Sequence, residues 1–371
     1  MKVLLYEWCC SGGLSGPDAA WMLPEAGATI ELEGTIREGR TMLEAVVADA
    51  TRDDTLQVTV LVDAARVLAL PTGVTVRTVS PGSEIDVLGE ESRRADATLI
   101  IAPETRGILE HRVAVARRGG GRVIAPGGRF IAVAADKQAT IDALAAAGVP
   151  VPAGRSLAPG ECWPPGFRLP AVRKARASVG CDQLLIVQAA EGTPPPAPQA
   201  TRLEAFVPGT PVGVSCLCGP HGIHVLPPML QLFSPGPQPE YRGGLLLRET
   251  RLVARAERLA RRSIAAVISA VIGGGRSAAV SPPPESTAVG WVGVDMLLGA
   301  DDDGRGDRVL EVNPRLTTSF VGLAAVFGQG LTRTLLAVAD GHAVDIVSAA
   351  VADRQVEFDT TGRVRVTDGS A

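Results

Sequence analysis

Along the first third of the chain, short apolar runs alternate with longer amphipathic stretches. Runs at 3–6, 57–62, 74–78, 97–102 and 123–125 have the length and composition of strands, and 39–50 and 108–118 have the apolar spacing of helices. This rhythm predicts βαβ units and an open, mostly parallel, Rossmann-like sheet. Beyond it the pattern changes. Asp136 stands as an N-cap before an alanine-rich helix that Gly148 stops, and the prolines of 149–152 enforce extended chain. Strands are expected at 171–174, 184–188, 203–207 and 211–217. A long amphipathic helix is expected at 252–271, with shorter ones at 320–327 and 331–340. The Pro- and Gly-rich stretches 192–198 and 273–286 read as connections, and 346–371 as a polar tail with strand-like runs at 356–358 and 364–366. The fold class is therefore α/β, passing to α+β in the C-terminal part.

Two segments carry the most chemistry. A strand-like run ending at Gly299 holds a lone acid, Asp295, and the run 308–315 places Glu311, Asn313 and Arg315 at every second position. The turn-forming stretch 300–307 between them predicts an antiparallel hairpin. Asp295 and Glu311 are symmetric about Asp303, which sets them opposite each other if no bulge intervenes. Glu311 and Asn313 share a face because side chains alternate along a strand. Converging oxygen ligands on a rigid sheet suit Mg²⁺ or Mn²⁺ completed by phosphate oxygens, and Arg315 has the planar donor fork for those phosphates. Asp301, Asp303 and Gly306 resemble part of a calcium loop, but Arg305 and Val312 occupy ligand positions, so that reading is set aside.

Composition narrows the classes. With 371 residues, 46% of them hydrophobic, the chain can bury a large core, and a net charge of −4 offers no field for nucleic acid or an anionic membrane. The N-terminal apolar run is too short for a signal peptide, and no stretch approaches the length of a membrane span. The expectation is a cytoplasmic protein acting on small molecules, with a homodimer allowed. Six cysteines form no CxxC pair and are expected as free thiols. Cys216, Cys218, His221 and His224 make a zinc site conceivable at a spacing that matches no common module. The glycines of 11–16 follow the first strand and are either a tight turn or a substrate contact.

The ordered set Asp136–Lys137, the 148–152 segment, Lys174, the 204–209 segment, Asp295 and the 311–315 segment resembles the ATP-grasp superfamily of carboxylate–amine ligases. The resemblance spans about 130–340 and implies an ATP-grasp fold behind a substrate domain. Its units are residues 1–133 as the pre-ATP-grasp domain, 134–207 as the small nucleotide-binding subdomain, 208–345 as the metal-bearing subdomain, and 346–371 as the tail. It implies that Lys137 and Lys174 contact the phosphates of ATP and that Gly180 belongs to a flap over them. It further implies that Glu204, Ala205, Phe206 and Val207 line the adenine through backbone hydrogen bonds. Asp295, Glu311 and Asn313 would hold magnesium, with Arg315 and Lys174 as catalytic groups at the transferred phosphoryl. Two departures stand out: the flap after Lys174 keeps a single glycine, and Pro211 replaces the acid that holds the ribose.

The segments 6–13, 100–105 and 241–244, with the ending 310–323, are similar to tyramine–glutamate ligases of methanofuran biosynthesis. That similarity implies L-glutamate and tyramine as substrates, with Arg106, Arg242 or the backbone of 11–13 meeting the α-carboxylate. A ligase for another amino acid or a peptide, and a nucleotide-binding protein that has lost catalysis, are the alternatives.

Overall fold

Strand β1 (Lys2–Glu7) forms the middle of a five-stranded parallel sheet, ordered β3 (Thr75–Val79), β2 (Gln57–Asp63), β1, β4 (Ala97–Ile101), β5 (Val123–Ile124). Both faces are covered, so successive side chains feed different cores. Val3 and Leu5 join Val58, Val60, Leu99 and helix α1 (Thr29–Ala50) on one side. Leu4 and Tyr6 join Leu61, Ile100, α2 (Glu84–Arg94) and α3 (Ile108–Arg118) on the other. Two-sided burial is why these strands read as apolar runs. The computed structural model describes residues 1–19, 29–177, 184–188, 195–273, 284–328, 330–344 and 354–368. The flap with Gly180, part of the proline loop and most of the 273–286 connection lie outside them.

Two helices were not expected from the sequence. Helix α2 is charge-rich, with only a narrow apolar stripe around Val87 and Leu88. Helix α4 (Gly128–Ala135) is apolar nearly all round and runs into α5 (Lys137–Ala146) with only Asp136 between them. Asp136 caps α5 as anticipated, accepting from the amides of Gln138 and Ala139 at 2.9 and 3.2 Å.

A four-stranded antiparallel sheet follows, in the order β6 (Gly154–Leu157), β9 (Thr201–Ala205), β7 (Ala171–Ala175), β8 (Leu185–Val187). The largest sheet runs β15 (Arg308–Asn313), β14 (Gly290–Leu298), β10 (Thr210–Gly219), β12 (Met229–Phe233), β13 (Tyr241–Leu246), β16 (Arg354–Asp359), β17 (Val364–Asp368), with β11 (Gly222–Val225) also paired to β10. Helix α6 (Thr250–Ile272) packs Leu259, Ile264 and Val267 on one of its faces, against Val212, Val214, Val292 and Val294. Helices α7 (Phe320–Phe327) and α8 (Leu331–Ala339) share a core with α1 and the parallel sheet. The N-terminal unit is thereby fixed against the sheet that carries the acidic hairpin. Among the described residues, no single helix is long and apolar enough to cross a membrane.

The last strands correct the expectation of a tail. Strand β16 pairs with β13 and buries Val356 and Phe358. At Gly243 (φ +135°) a Cβ would lie 2.0 Å from the Phe358 carbonyl oxygen, and at Gly244 a Cβ would lie 2.7 Å from the Phe358 ring. The glycines of 241–244 therefore serve the docking of β16. Replacing Phe358 with Ala is expected to cost about 3–5 kcal/mol of stability, read as a lowered midpoint in urea unfolding.

Candidate functional site

The acidic hairpin reaches its register in a way its symmetry did not reveal. On the turn side Met296 faces Val309 and Leu297 faces Arg308, a register that would carry Asp295 to Leu310. A bulge shifts the pairing by one, so that Asp295 stands opposite Glu311. The bulge thus produces the pairing it was expected to spoil. The extra residue, Leu310, turns its carbonyl toward Lys174, whose Nζ donates to it at 3.3 Å. The turn is anchored from beneath: Asp307 accepts from the amide of Gly299 at 2.9 Å and pairs with the buried Arg255 of α6, while Asp301 accepts from the amide of Gly306 at 3.0 Å. These turn aspartates serve the backbone, in keeping with the rejection of a calcium loop.

Asp295 accepts from Gln231 Nε2 at 2.8 Å and from Asn313 Nδ2 at 2.9 Å. Gly213, opposite it on β10, leaves the room for this: a Cβ there would stand 3.2 Å from both Asp295 Oδ1 and Gln231 Nε2. Glu311 pairs with Lys137 Nζ at 3.1 Å. Burial, reinforced by the neighbouring Glu311 charge, pushes the Asp295 carboxyl up to about 8. Burial acts the same way on Glu311, but Lys137 and Lys174 outweigh it and hold that carboxyl down to about 2. The hairpin without a cation therefore keeps one proton, on Asp295, between two carboxylates. Two hard oxygen acids that cannot both ionise, with an amide oxygen beside them, fit a divalent cation that would displace that proton. Among the described residues, no group of three or more His, Cys, Asp or Glu side chains gathers as a metal site.

The raised Asp295 pKa carries a stability cost. An unfolded Asp ionises near about 4, whereas the folded one holds its proton to about 8. Folding is therefore penalised progressively as pH rises between those values and not below them. The melting temperature of Asp295→Asn relative to the wild type in metal-free buffer is expected to rise from pH 4 toward pH 8 and to fall back on acidification, because the variant has no carboxyl to ionise. Thermal melts across that range check it.

The two expected lysines converge on the hairpin from different elements. Lys137 opens α5, and Lys174 lies on β7, on the same face of the small sheet as Arg202 and Glu204 of β9. Lys174 Nζ is 3.0 Å from Glu204 Oε2, and Arg202 Nε is 2.6 Å from Glu204 Oε1. Arg202 also donates to Gln138 Oε1 at 2.6 Å and to the Pro152 carbonyl at 3.1 Å. The Glu204 side chain thus balances two cations. The adenine expectation narrows, because the amide of Ala205 donates to the Ala153 carbonyl (2.8 Å) and that of Phe206 to the Pro170 carbonyl (3.2 Å). Strand β9 ends at Ala205, short of the expected 207, and Phe206 is 40% exposed.

Arg315 is tied to the N-terminal unit: its Nε donates to Glu104 Oε2 at 2.5 Å, and both side chains are buried. Glu104 lies in the 100–105 segment, just past β4. Sequence reasoning missed the parts played by Glu104, Gln231, Gly213 and Arg202. Only Arg202 left a signal, its alternation with Glu204.

In the loop 11–16, the Ser11 amide donates to the Glu7 carbonyl (2.8 Å) and the Gly13 amide to the Trp8 carbonyl (2.9 Å), and Ser11 Oγ donates to the Leu61 carbonyl. The tight-turn reading holds there, and these two amides are spent. Arg242 pairs with Glu240 at the surface. Cys216 and Cys218 point into the core under α6, whereas His224 sits opposite Leu217, whose side chain joins the other core, so strand alternation separates the zinc candidates. Cys9, Cys10, Cys162, Cys216 and Cys218 are free thiols, as expected.

Comparison with known proteins agrees with this architecture. Residues 56–129 match the pre ATP-grasp 3 domain, and residues 134–274 match the ATP-grasp domain, so the acidic hairpin lies past the matched stretch. No curated protein matches the chain significantly. Among solved structures, an ATP-grasp superfamily protein from Archaeoglobus fulgidus is similar at a TM-score of 0.64 and 21% identity, over 97% of this chain and 92% of that one. An L-amino acid ligase from Bacillus licheniformis is similar at 0.61 and 14% identity, over 96% and 78%. Biotin carboxylase from Campylobacter jejuni, solved as a beta-gamma-ATP complex, is similar at 0.61 and 13% identity, over 96% and 74%. At such identities the structural likeness speaks for the fold, and the two domain matches name it. The chain belongs to the ATP-grasp superfamily.

Proposed function

We propose that this protein uses ATP to activate a carboxylate as an acyl phosphate and couples it to an amine, releasing ADP and phosphate. The observation that carries the reading is the convergence of Asp295 and Glu311 on one hairpin with Lys137, Lys174 and Arg315, brought from a helix start, a second sheet and the end of β15. Asp295, Glu311 and Asn313 would hold Mg²⁺, which when bound supplies charge neutralisation at the phosphate oxygens. The chain's own groups do the rest. Lys174 exchanges its contact with Glu204 for phosphate, Lys137 keeps Glu311 ionised, and Arg315 presents donors to the phosphoryl in transfer. No protein nucleophile is required, because ATP activates the acyl group; the protein contributes alignment and a site screened from water.

For the substrates, the resemblance to tyramine–glutamate ligases proposes L-glutamate and tyramine, as in methanofuran-type cofactor assembly. Tyr6, Trp8, Gly243 and Gly244 serve packing, so the pair rests on that resemblance. Incubation of the purified protein with ATP, Mg²⁺, L-glutamate and tyramine is expected to give γ-glutamyltyramine with stoichiometric ADP, detected by mass spectrometry. Turnover only with a different acid or amine would discard the substrate pair, and stoichiometric AMP would discard the acyl-phosphate route.

A further inference from the structure

The 100–105 segment entered as a candidate for substrate specificity, yet its one acidic side chain is turned onto Arg315. We infer that Glu104 is a positioning residue: the N-terminal unit reaches across to aim the Arg315 guanidinium at the phosphoryl site. For its kinetic half this inference rests on the ligase reading above.

Two observations carry it. First, the donors are apportioned. Of the five N–H groups of an arginine, Nε–H goes to Glu104 Oε2 at 2.5 Å, one on NH2 reaches Glu104 Oε1 more loosely at 3.5 Å, and one on NH1 goes to the Leu316 carbonyl at 3.2 Å. Among the described residues, one donor on each terminal nitrogen is left over, and that pair is the fork a phosphoryl group accepts. A carboxylate along the Nε edge fixes the plane of the fork without occupying it. Second, the carboxylate is itself held. Glu104 is 4% exposed and precedes a tight turn in which Arg106 takes φ 55° and Gly107 φ 73° before α3 begins. A non-glycine residue in the left-handed region marks backbone held there by its surroundings. An arginine alone on a strand end would swing, and a swing of about 1 Å is enough to cost roughly a hundredfold in rate.

Glu104→Gln keeps the size and the ability to accept a hydrogen bond while removing the charge. In steady-state kinetics it is expected to lower kcat about 10–100-fold while the KM for ATP moves less than about threefold. In an Arg315→Met background the same substitution is expected to change kcat by less than about twofold, because its effect passes through the arginine. Independently of turnover, the Arg315 Nε–H, followed by ¹⁵N NMR of the full chain, is expected to be protected from exchange in wild type and to lose that protection in Glu104→Ala, which removes the acceptor. Full additivity with Arg315→Met, or an unchanged Nε–H, overturns the inference. If the wild type shows no turnover that depends on both a carboxylate and an amine, the ligase reading fails, and the NMR comparison alone decides this one.

Discussion

Glu311→Gln is expected to lower ATP-dependent ligation by roughly a thousandfold or more at saturating Mg²⁺ while leaving a folded protein. Glu311 is the acid that stays ionised: Lys137 at 3.1 Å and the nearby Lys174 hold its carboxyl low, whereas Asp295 opposite is pushed up. Removing it takes away the permanent negative charge of the facing pair and the counter-ion of Lys137 together. Glutamine retains the shape and relieves the repulsion on Asp295, so the melting temperature should not fall in step with activity. Near wild-type turnover would mean that the hairpin is not the nucleotide–metal site.

Lys174→Ala is expected to weaken nucleotide binding by about 10–150-fold, the range spanned by a lost charge-assisted hydrogen bond, and to depress the rate as well. The fold should survive, because Glu204 keeps Arg202 as its partner at 2.6 Å and the Leu310 carbonyl loses only a 3.3 Å contact. Titration calorimetry with ATP reads the affinity directly. Unchanged binding would move the phosphates away from this face of the small sheet.

What was legible in the sequence followed from periodicity. The parallel strands announced themselves as apolar runs because both faces are buried, and the hairpin did so through alternation with a turn between. Asp136, as a cap, fixed the start of α5 and with it the position of Lys137. Helix α2, whose apolar stripe is narrow, and helix α4, which has almost no polar face, gave no periodic signal to follow. The strand-like runs at the chain's end were visible, but their place beside β13 depends on a contact more than a hundred residues away, prepared by Gly243 and Gly244. The acids and lysines of the site could be read because their chemistry is distinctive and they sit in ordered motifs. Gln231 and Glu104 could not, since a lone polar residue on a strand or in a turn looks the same whether it faces water or a neighbour. The bulge was invisible for a similar reason: it is set by how Arg255 and Asp307 pin the turn and by where Leu310 meets Lys174.

The central claim is that the γ-phosphoryl of ATP passes to the oxygen of a carboxylate. It is tested most directly by supplying the carboxylate substrate labelled with ¹⁸O in both oxygens, together with ATP, Mg²⁺ and the amine, and analysing the products by mass spectrometry. An acyl phosphate requires one ¹⁸O atom to appear in inorganic phosphate for each amide formed, with none in the nucleotide. Label recovered in AMP, or amide formed with unlabelled phosphate, would contradict the account.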